Sequence, residues 1–528
     1  MSDPDDRTTA SGIPLRAWYG PDAPGVPPYT RGAYKGMYRT QPWRIFQLSG
    51  FGNPEDEGAR IRFLLEHGET GFIMEHDRNL ADHLYDVDHP EVLARREDVG
   101  LTGAVIMSVD DFETVLDGID LASVYGHPGG GVVQHAPFAL ACYWTVARQR
   151  GIALDRLRGT GQSDFFLTYL GCIPKQQVPP TVGLRLNTDI IEFCEAHLPH
   201  WVPVSVAGYN GADSGLNAYE ELAAVLANNI EYLDEAKRRG TVPIEQLAHR
   251  VGGINLRVGL DLFEDVCKLR AARRMWANLL RDRYGITDER ATRLRIHALT
   301  AGSAMTYQQP MNNIVRGTVM ALAGVLGGTQ SLGVSGYDEA LSIPSEHAHQ
   351  MSIRIQQVLQ NECNLTSVAD PLGGSWYVEA LTDEIEERAN GFLAAIEANG
   401  GFVASLDDGW LHAAAAKNQA ADLAMVESGE KVVVGVNHAT EDASPFPIDG
   451  FRGSSDAWDR GMERIGRLRA SRDRRGVVDA MNELESACRT GRNVMPSMMD
   501  AVAARVTVGE IGEVFRSAFG DWNVPIRF

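Results

Sequence analysis

GINLRVGLDLFEDVCKLRAARRMWANLLRDRYGITDERATRLRIHALTAG, residues 253–302, holds two short β-type runs separated by one long helical stretch. GINLRVG (253–259) and RLRIHALTAG (293–302) are the strand candidates. The segment between them, DLFEDVCKLRAARRMWANLLRDRYG (261–285), spaces its apolar residues near 3.6 and gathers arginine towards its end. A crossover of that length joins parallel strands, not a hairpin. The same rhythm extends outward through GFIMEH (71–76), GAVIMS (103–108), ASVYGH (122–127), RGTGQSD (158–164), VPVSVAGY (202–209) and GTQSLGVSG (328–336), with another clear helix at 216–240. Eight strands, each separated by a helix-length crossover, predict an α/β fold of the (β/α)8 TIM-barrel kind over residues 51–400. A doubly wound sheet is the competing arrangement.

The flanks read differently. Residues 1–50 form an extended arm that includes YTRGAYKGMYRTQPWRIFQLSGFG (29–52), where aromatics and cations interleave with almost no acid. Residues 401–528 read as a mostly helical region, with charged helices from about residue 455. A formal charge of -21 excludes general nucleic-acid binding, because any anion must be met by a local cationic patch. The six cysteines are scattered without a CxxC pair, and no leader or membrane-length apolar run is present, which reads as a soluble cytoplasmic protein.

A barrel does its chemistry at the C-terminal ends of its strands. The polar residues expected there are His127, Gln162, Tyr209, Asn210, His297, Thr300, Gln330 and Ser331. GHPGGG (126–131) resembles a phosphate-cradling loop, since backbone amides in a Gly-rich turn can face an anion, but it lacks the GK[ST] ending and no GxGxxG follows a first strand. HAH (347–349) has the wrong spacing for a helical metal pair and reads as a solvated helix end. No acyl-transfer elbow is found. A neutral floor of amides and hydroxyls suits chemistry brought by a cofactor.

Several motifs resemble a known family: YTRGAYKGMYRTQPW, GTGQSD, VSVAGY, KLRAARRMWANLL, NNIVRGTVMALAGVLGGTQSL, GYDEAL, VADPLGGSWYVEALT and VVVGVNH, within a match that runs from about Ser11 to Asp521. Together they resemble the large, substrate-binding subunit of the methylmalonyl-CoA mutase family. Within it the chain is most similar to the separate large subunits of isobutyryl-CoA and 2-hydroxyisobutyryl-CoA mutases. The resemblance implies a TIM barrel threaded by an acyl-CoA, adenosylcobalamin against its C-terminal face, and a radical carbon-skeleton rearrangement, which makes the chain an isomerase. The family's cobalt-binding motif DxHxxG is absent: the DH pairs at 82–83 and 88–89 have the wrong spacing. A small cobalamin-binding subunit that carries DxHxxG is therefore implied as partner, in a hetero-oligomer with a large-subunit dimer.

Carried over by resemblance, Gln162, Asn210 and Gln330 are the catalytic candidates, Asn210 standing where the family has a histidine. Tyr34, Met37, Arg44, Leu48, Thr160, Cys172 and Arg250 are substrate-binding candidates; Asp213, Gly302, Glu339 and Ala340 face the cofactor, with Ser303 replacing a tryptophan. Cys172 replaces the arginine that clamps a free carboxylate, and Leu48 replaces its partnering tyrosine. Without a bidentate cation a buried carboxylate costs roughly 2–5 kcal/mol, so an uncharged branched or hydroxylated acyl group, of the isobutyryl, 2-hydroxyisobutyryl or pivalyl type, is expected. Gln41 and Phe46 replace two arginines of the arm. This keeps a carrier-bound or non-CoA substrate open, and Asn210 with Ser303 keeps open a non-catalytic binding or assembly protein.

Overall fold

A computed structural model of the chain describes residues 7–171, 177–441 and 454–523. Ten short strands run through it: β1 (Arg44–Ile45), β2 (Leu48–Ser49), β3 (Gly71–Met74), β4 (Tyr125–His127), β5 (Arg158–Thr160), β6 (Trp201–Val202), β7 (Val206–Ala207), β8 (Gly253–Val258), β9 (Arg295–Thr300) and β10 (Ser331–Gly333). They form two five-stranded sheets, β1-β10-β9-β8-β7 and β2-β3-β4-β5-β6. Every pairing is parallel.

The two sheets share chain at both margins. β1 and β2 flank only Phe46 and Gln47, and β6 and β7 flank only residues 203–205, so each stretch leaves one sheet and enters the other. Ladder hydrogen bonds do not close the ring at these points. Single bonds bracket the gaps: Phe46 N donates to Leu332 O at 3.1 Å, and Ser205 N to Gly161 O at 3.1 Å. The architecture is thus α/β with parallel sheets, as expected.

One expected strand is corrected. GAVIMS makes only an isolated bridge between His76 and Ala104, while the arm supplies β1 and β2. Residues 104–107 are fully buried, and an apolar run of that length reads alike whether it pairs or merely packs. The Asp111 carboxylate then accepts from Met107 N at 2.8 Å and Ser108 N at 3.2 Å, which turns the chain into helix Val109–Val115.

The crossover helices follow their sequence signals. Ala218–Arg239 starts at an Asn217/Glu220 capping box and stops at Gly240 in the left-handed region; Leu262–Tyr284 starts at Asp261 and stops at Gly285, φ 70°. Helix Ala136–Gln149 is apolar almost all round because it is covered on its outer side by Val494–Ala503 of the C-terminal helices. Those helices are pinned by Arg464, which donates to Asp111, Asn53 and the Val105 carbonyl. No helix among the described residues is long and apolar enough to cross a membrane.

Candidate functional site

Period-two alternation sends every other residue of each strand segment to one side. Arg44, Phe46 and Leu48; Ile73 and Glu75; Tyr125 and His127; Arg158, Thr160 and Gln162; Ser205 and Ala207; Gly253 and Asn255; Arg295, His297 and Leu299; Thr329 and Ser331 all line one cavity of about 780 Å³. Because both ends of the strands contribute, the cavity runs lengthwise between the two sheets.

Its N-terminal end is cationic. Arg158, His200, His249, Arg290 and Arg295 line it, with Tyr34 and Gln41 from the arm. Arg250 is there too, yet its guanidinium is committed to Glu195 and to the carbonyls of Leu198 and Trp201, at 3.1 and 3.2 Å. Arg158 and Arg290 are exposed, and neither has an ion pair among the described residues. Sequence reading missed both, since nothing local separates a committed arginine from a free one. Arg44 lies 4.6 Å over the Tyr125 ring, and Arg293 lies 5.0 Å over Tyr34. Met37, at φ 39°, has its sulfur 3.5 Å from Tyr34 N.

Gln330 also sits at this level, because β10 begins only at Ser331. Its Oε1 accepts from Ile296 N and its Nε2 donates to Gly328 O, both at 2.8 Å, so the side chain ties strands together. The expectation that Gln330, Ser331 and His297 stand at C-terminal strand ends is therefore corrected: Gln330 precedes strand β10, Ser331 opens it, and His297 lies in mid-strand.

At the opposite end stand Leu48, Glu75, Arg78, Thr102, His127, Gln162, Leu167, Tyr209 and Asn210, with Thr160 one layer below. Leu48 is 44% exposed and faces this space. His127 is buried, which holds its pKa down at about 3; Nδ1 accepts from Gly129 N at 3.2 Å, so the neutral ring carries its proton on Nε2. Arg78 is engaged by Glu75 at 3.3 Å and Asp82 at 2.9 Å. Cys172 lies outside the described residues.

Beneath these groups is Asp164, 1% exposed. Its carboxylate accepts from Phe166 N and Leu167 N, each at 3.0 Å, and from Asn210 Nδ2 at 2.6 Å, with the Gln162 side chain nearby. Burial pushes its pKa up to about 7 against the pull of these donors. The sequence showed Asp164 only as the last letter of GTGQSD. Its partnership with Asn210, 46 residues on, has no local signal.

GHPGGG is a closely packed loop. A Cβ at Gly129 would lie 2.6 Å from His76 Cδ2, and one at Gly130, φ 116°, would lie 2.5 Å from Gln162 O. HAH is likewise corrected: His347 is exposed, but His349 is 2% exposed and bonded to Arg60.

Three of the cofactor candidates come together beyond this end. Asp213 Oδ1 accepts from Ser303 Oγ at 2.7 Å and lies 3.5 Å from Arg257 Nη1. The Tyr209 hydroxyl accepts from Gly302 N at 3.3 Å and lies near the Asp213 carboxylate. Glu339 accepts from Gly336 N at 3.1 Å, and burial with Asp213 nearby raises its pKa to about 7. A Cβ at Gly302 would lie 2.6 Å from Glu339 Oε1, so any side chain there displaces Glu339. With Ser303 and Ala340 small and exposed, this rim has the low relief and polar acceptors that suit a flat ring with amide edges.

The chain matches the methylmalonyl-CoA mutase family over residues 8–521. It is 34% identical over 507 residues to the 2-hydroxyisobutanoyl-CoA mutase large subunit of Aquincola tertiaricarbonis, covering 95% of this chain and 88% of that protein. It is also 34% identical over 509 residues to methylmalonyl-CoA mutase of Escherichia coli strain K12, covering 95% of this chain and 69% of that one. Against the mitochondrial methylmalonyl-CoA mutase of Mus musculus the identity is 31% over 519 residues, covering 96% and 67%. With a lengthwise cavity, a cationic mouth and near full-length kinship to CoA mutases, the chain belongs to the methylmalonyl-CoA mutase family of cobalamin-dependent isomerases.

Proposed function

We propose that this chain is the large subunit of an adenosylcobalamin-dependent mutase that rearranges the carbon skeleton of a non-dicarboxylic, branched or hydroxylated acyl-CoA. It acts with a small subunit that carries DxHxxG, in a cytoplasmic hetero-oligomer containing a large-subunit dimer. The strand segments act as one (β/α)8 barrel, made of residues 51–400 together with strand residues 44–49 of the arm, its ring completed where 44–49 and 201–207 pass between sheets. Residues 1–50 form the substrate arm, and residues 401–528 the outer helical region.

The observation that carries the reading is the polarity gradient along the cavity: free arginines at one end, neutral amides and Leu48 at the other. Arg158 and Arg290 stand in for the arm cations lost at Gln41 and Phe46, and meet the phosphates of coenzyme A. This favours a CoA substrate over a carrier-bound one. At the reacting end the nearest arginine, Arg78, is already neutralised by Glu75 and Asp82. A second substrate carboxylate would meet Glu75 without a free cation, so dicarboxylic thioesters are rejected.

The cofactor supplies radical initiation when bound against Asp213, Gly302, Glu339 and Ala340. The chain's own residues bind the thioester with Tyr34, Met37, Arg44 and Thr160, orient the acyl group with Gln162 and Asn210, shape its pocket with Leu48 and Cys172, and exclude water. Gln330 and Arg250 serve by holding the cavity wall. Reconstitution with a DxHxxG subunit and adenosylcobalamin tests the reading. Turnover is expected with isobutyryl-, 2-hydroxyisobutyryl- or pivalyl-CoA and none with methylmalonyl-CoA. Failure of all three, or preference for methylmalonyl-CoA, overturns it.

A further inference from the structure

Asp164 is a buried carboxylate to which no reaction step assigns a role, yet it touches both amides at the reacting end. Asn210 Nδ2 donates to its Oδ2 at 2.6 Å, and the Gln162 side chain lies near enough to favour its charged form. The two backbone donors, Phe166 N and Leu167 N, fill the remaining acceptor positions at 3.0 Å each. In its ionised form a carboxylate so placed only accepts, and a primary amide has one donating and one accepting end. Both NH2 groups are therefore drawn towards Asp164, and Asn210 Oδ1 and Gln162 Oε1 are the ends left for the cavity that both residues line. No described residue donates to either oxygen.

We propose that Asp164 is a positioning residue that turns the Gln162 and Asn210 carbonyl oxygens into the cavity, so that the reacting end is a hydrogen-bond acceptor and selects an acyl group carrying a hydroxyl. The inference rests on the acyl-CoA reading above and narrows its substrate class. A hydroxyl that donates to these oxygens satisfies acceptors that a methyl group would leave buried and unpaired. Tyr209 does not compete for this role, since its hydroxyl oxygen already accepts from Gly302 N at 3.3 Å.

The test is titration calorimetry on the full chain with 2-hydroxyisobutyryl-CoA and with pivalyl-CoA, in which a methyl replaces the hydroxyl. The expected preference for the hydroxyacyl ligand is about three- to tenfold. In Asp164→Asn the new amide can donate to Asn210 Oδ1 and turn its NH2 outward, so the ratio should fall to unity or invert. A ratio measured within one variant is insensitive to a general loss of affinity, which a merely structural role would produce. Asn210→Leu removes the Oδ1 acceptor while Asp164 keeps its two backbone donors, and it should also lower the preference; it serves if Asp164→Asn does not fold.

Equal affinity of the wild-type chain for both ligands overturns the proposal and leaves the mutase reading standing. A preference retained in both variants overturns it too, and so does an equal weakening of both ligands by Asn210→Leu, which would assign the donor to a pantetheine amide. Binding of no acyl-CoA at all overturns the mutase reading itself.

Discussion

At His349, Arg60 Nη1 donates to Nδ1 at 3.0 Å, and because a guanidinium only donates, the ring proton resides on Nε2, which faces the Leu48 backbone. A side chain on helix Glu346–Asn361 thus braces the strand that carries the residue most telling of the acyl group. Burial and the Arg60 charge hold the His349 pKa down at about 3. The folded chain keeps the ring neutral, whereas the unfolded chain protonates it below about 6.5. Stability from this site is therefore complete above that pH and is lost as pH falls towards 3, on the order of 3 kcal/mol by pH 4. His349→Gln, which cannot titrate, should flatten the acid limb of a thermal-melting profile between pH 6.5 and 4 relative to the wild-type chain. An unchanged limb would place the titrating group elsewhere, among the other buried, neutral rings at His76, His127 and His297.

Between elements, strand β8 and the helices Ala218–Arg239 and Leu262–Tyr284 are joined by a buried charge cluster. Lys268 Nζ lies 2.7 Å from Glu221 and 2.8 Å from Asp265, and donates to the Arg257 carbonyl, while Glu221 accepts from Arg257 N at 2.7 Å. With side chains 2% and 0% exposed, Lys268 and Glu221 leave no water to take over for a lost partner. Lys268→Met should cost about 3–5 kcal/mol in urea unfolding, and Glu221→Gln in the same background should recover part of it. Arg257 continues the cluster to Asp213, so this wall of the fold also aligns the rim where Tyr209, Gly302 and Ser303 meet.

For the whole molecule the matter is charge placement. A chain with a net charge of -21 gathers Arg158, Arg290 and Arg295 at one end of its central cavity. Arg158→Ala and Arg290→Ala should each weaken coenzyme A binding roughly three- to tenfold and lessen its dependence on salt, with little change in melting temperature. Arg250→Ala should act the other way, lowering the melting temperature because Glu195 and two carbonyls lose their donor. The two effects are separable by calorimetry and thermal melting on the same variants.

What the sequence determined by itself were the features set by near neighbours and by motif. The 3.6-residue spacing, the caps at Asn217, Asp261, Gly240 and Gly285, and the family motifs all lie within short windows, and each appears where its residues placed it. Tertiary structure decided the rest. Residues 104–107 became packing and 44–49 became strand, because an apolar run commits to a ladder only when a neighbouring strand edge is free to pair with it. Arg250 became a brace and Arg158 a free cation, according to which carboxylates and carbonyls the fold brought near. Asn210 acquired a fixed orientation only when folding set it against Asp164, and an amide side chain has no preferred end until a partner of one polarity is placed beside it.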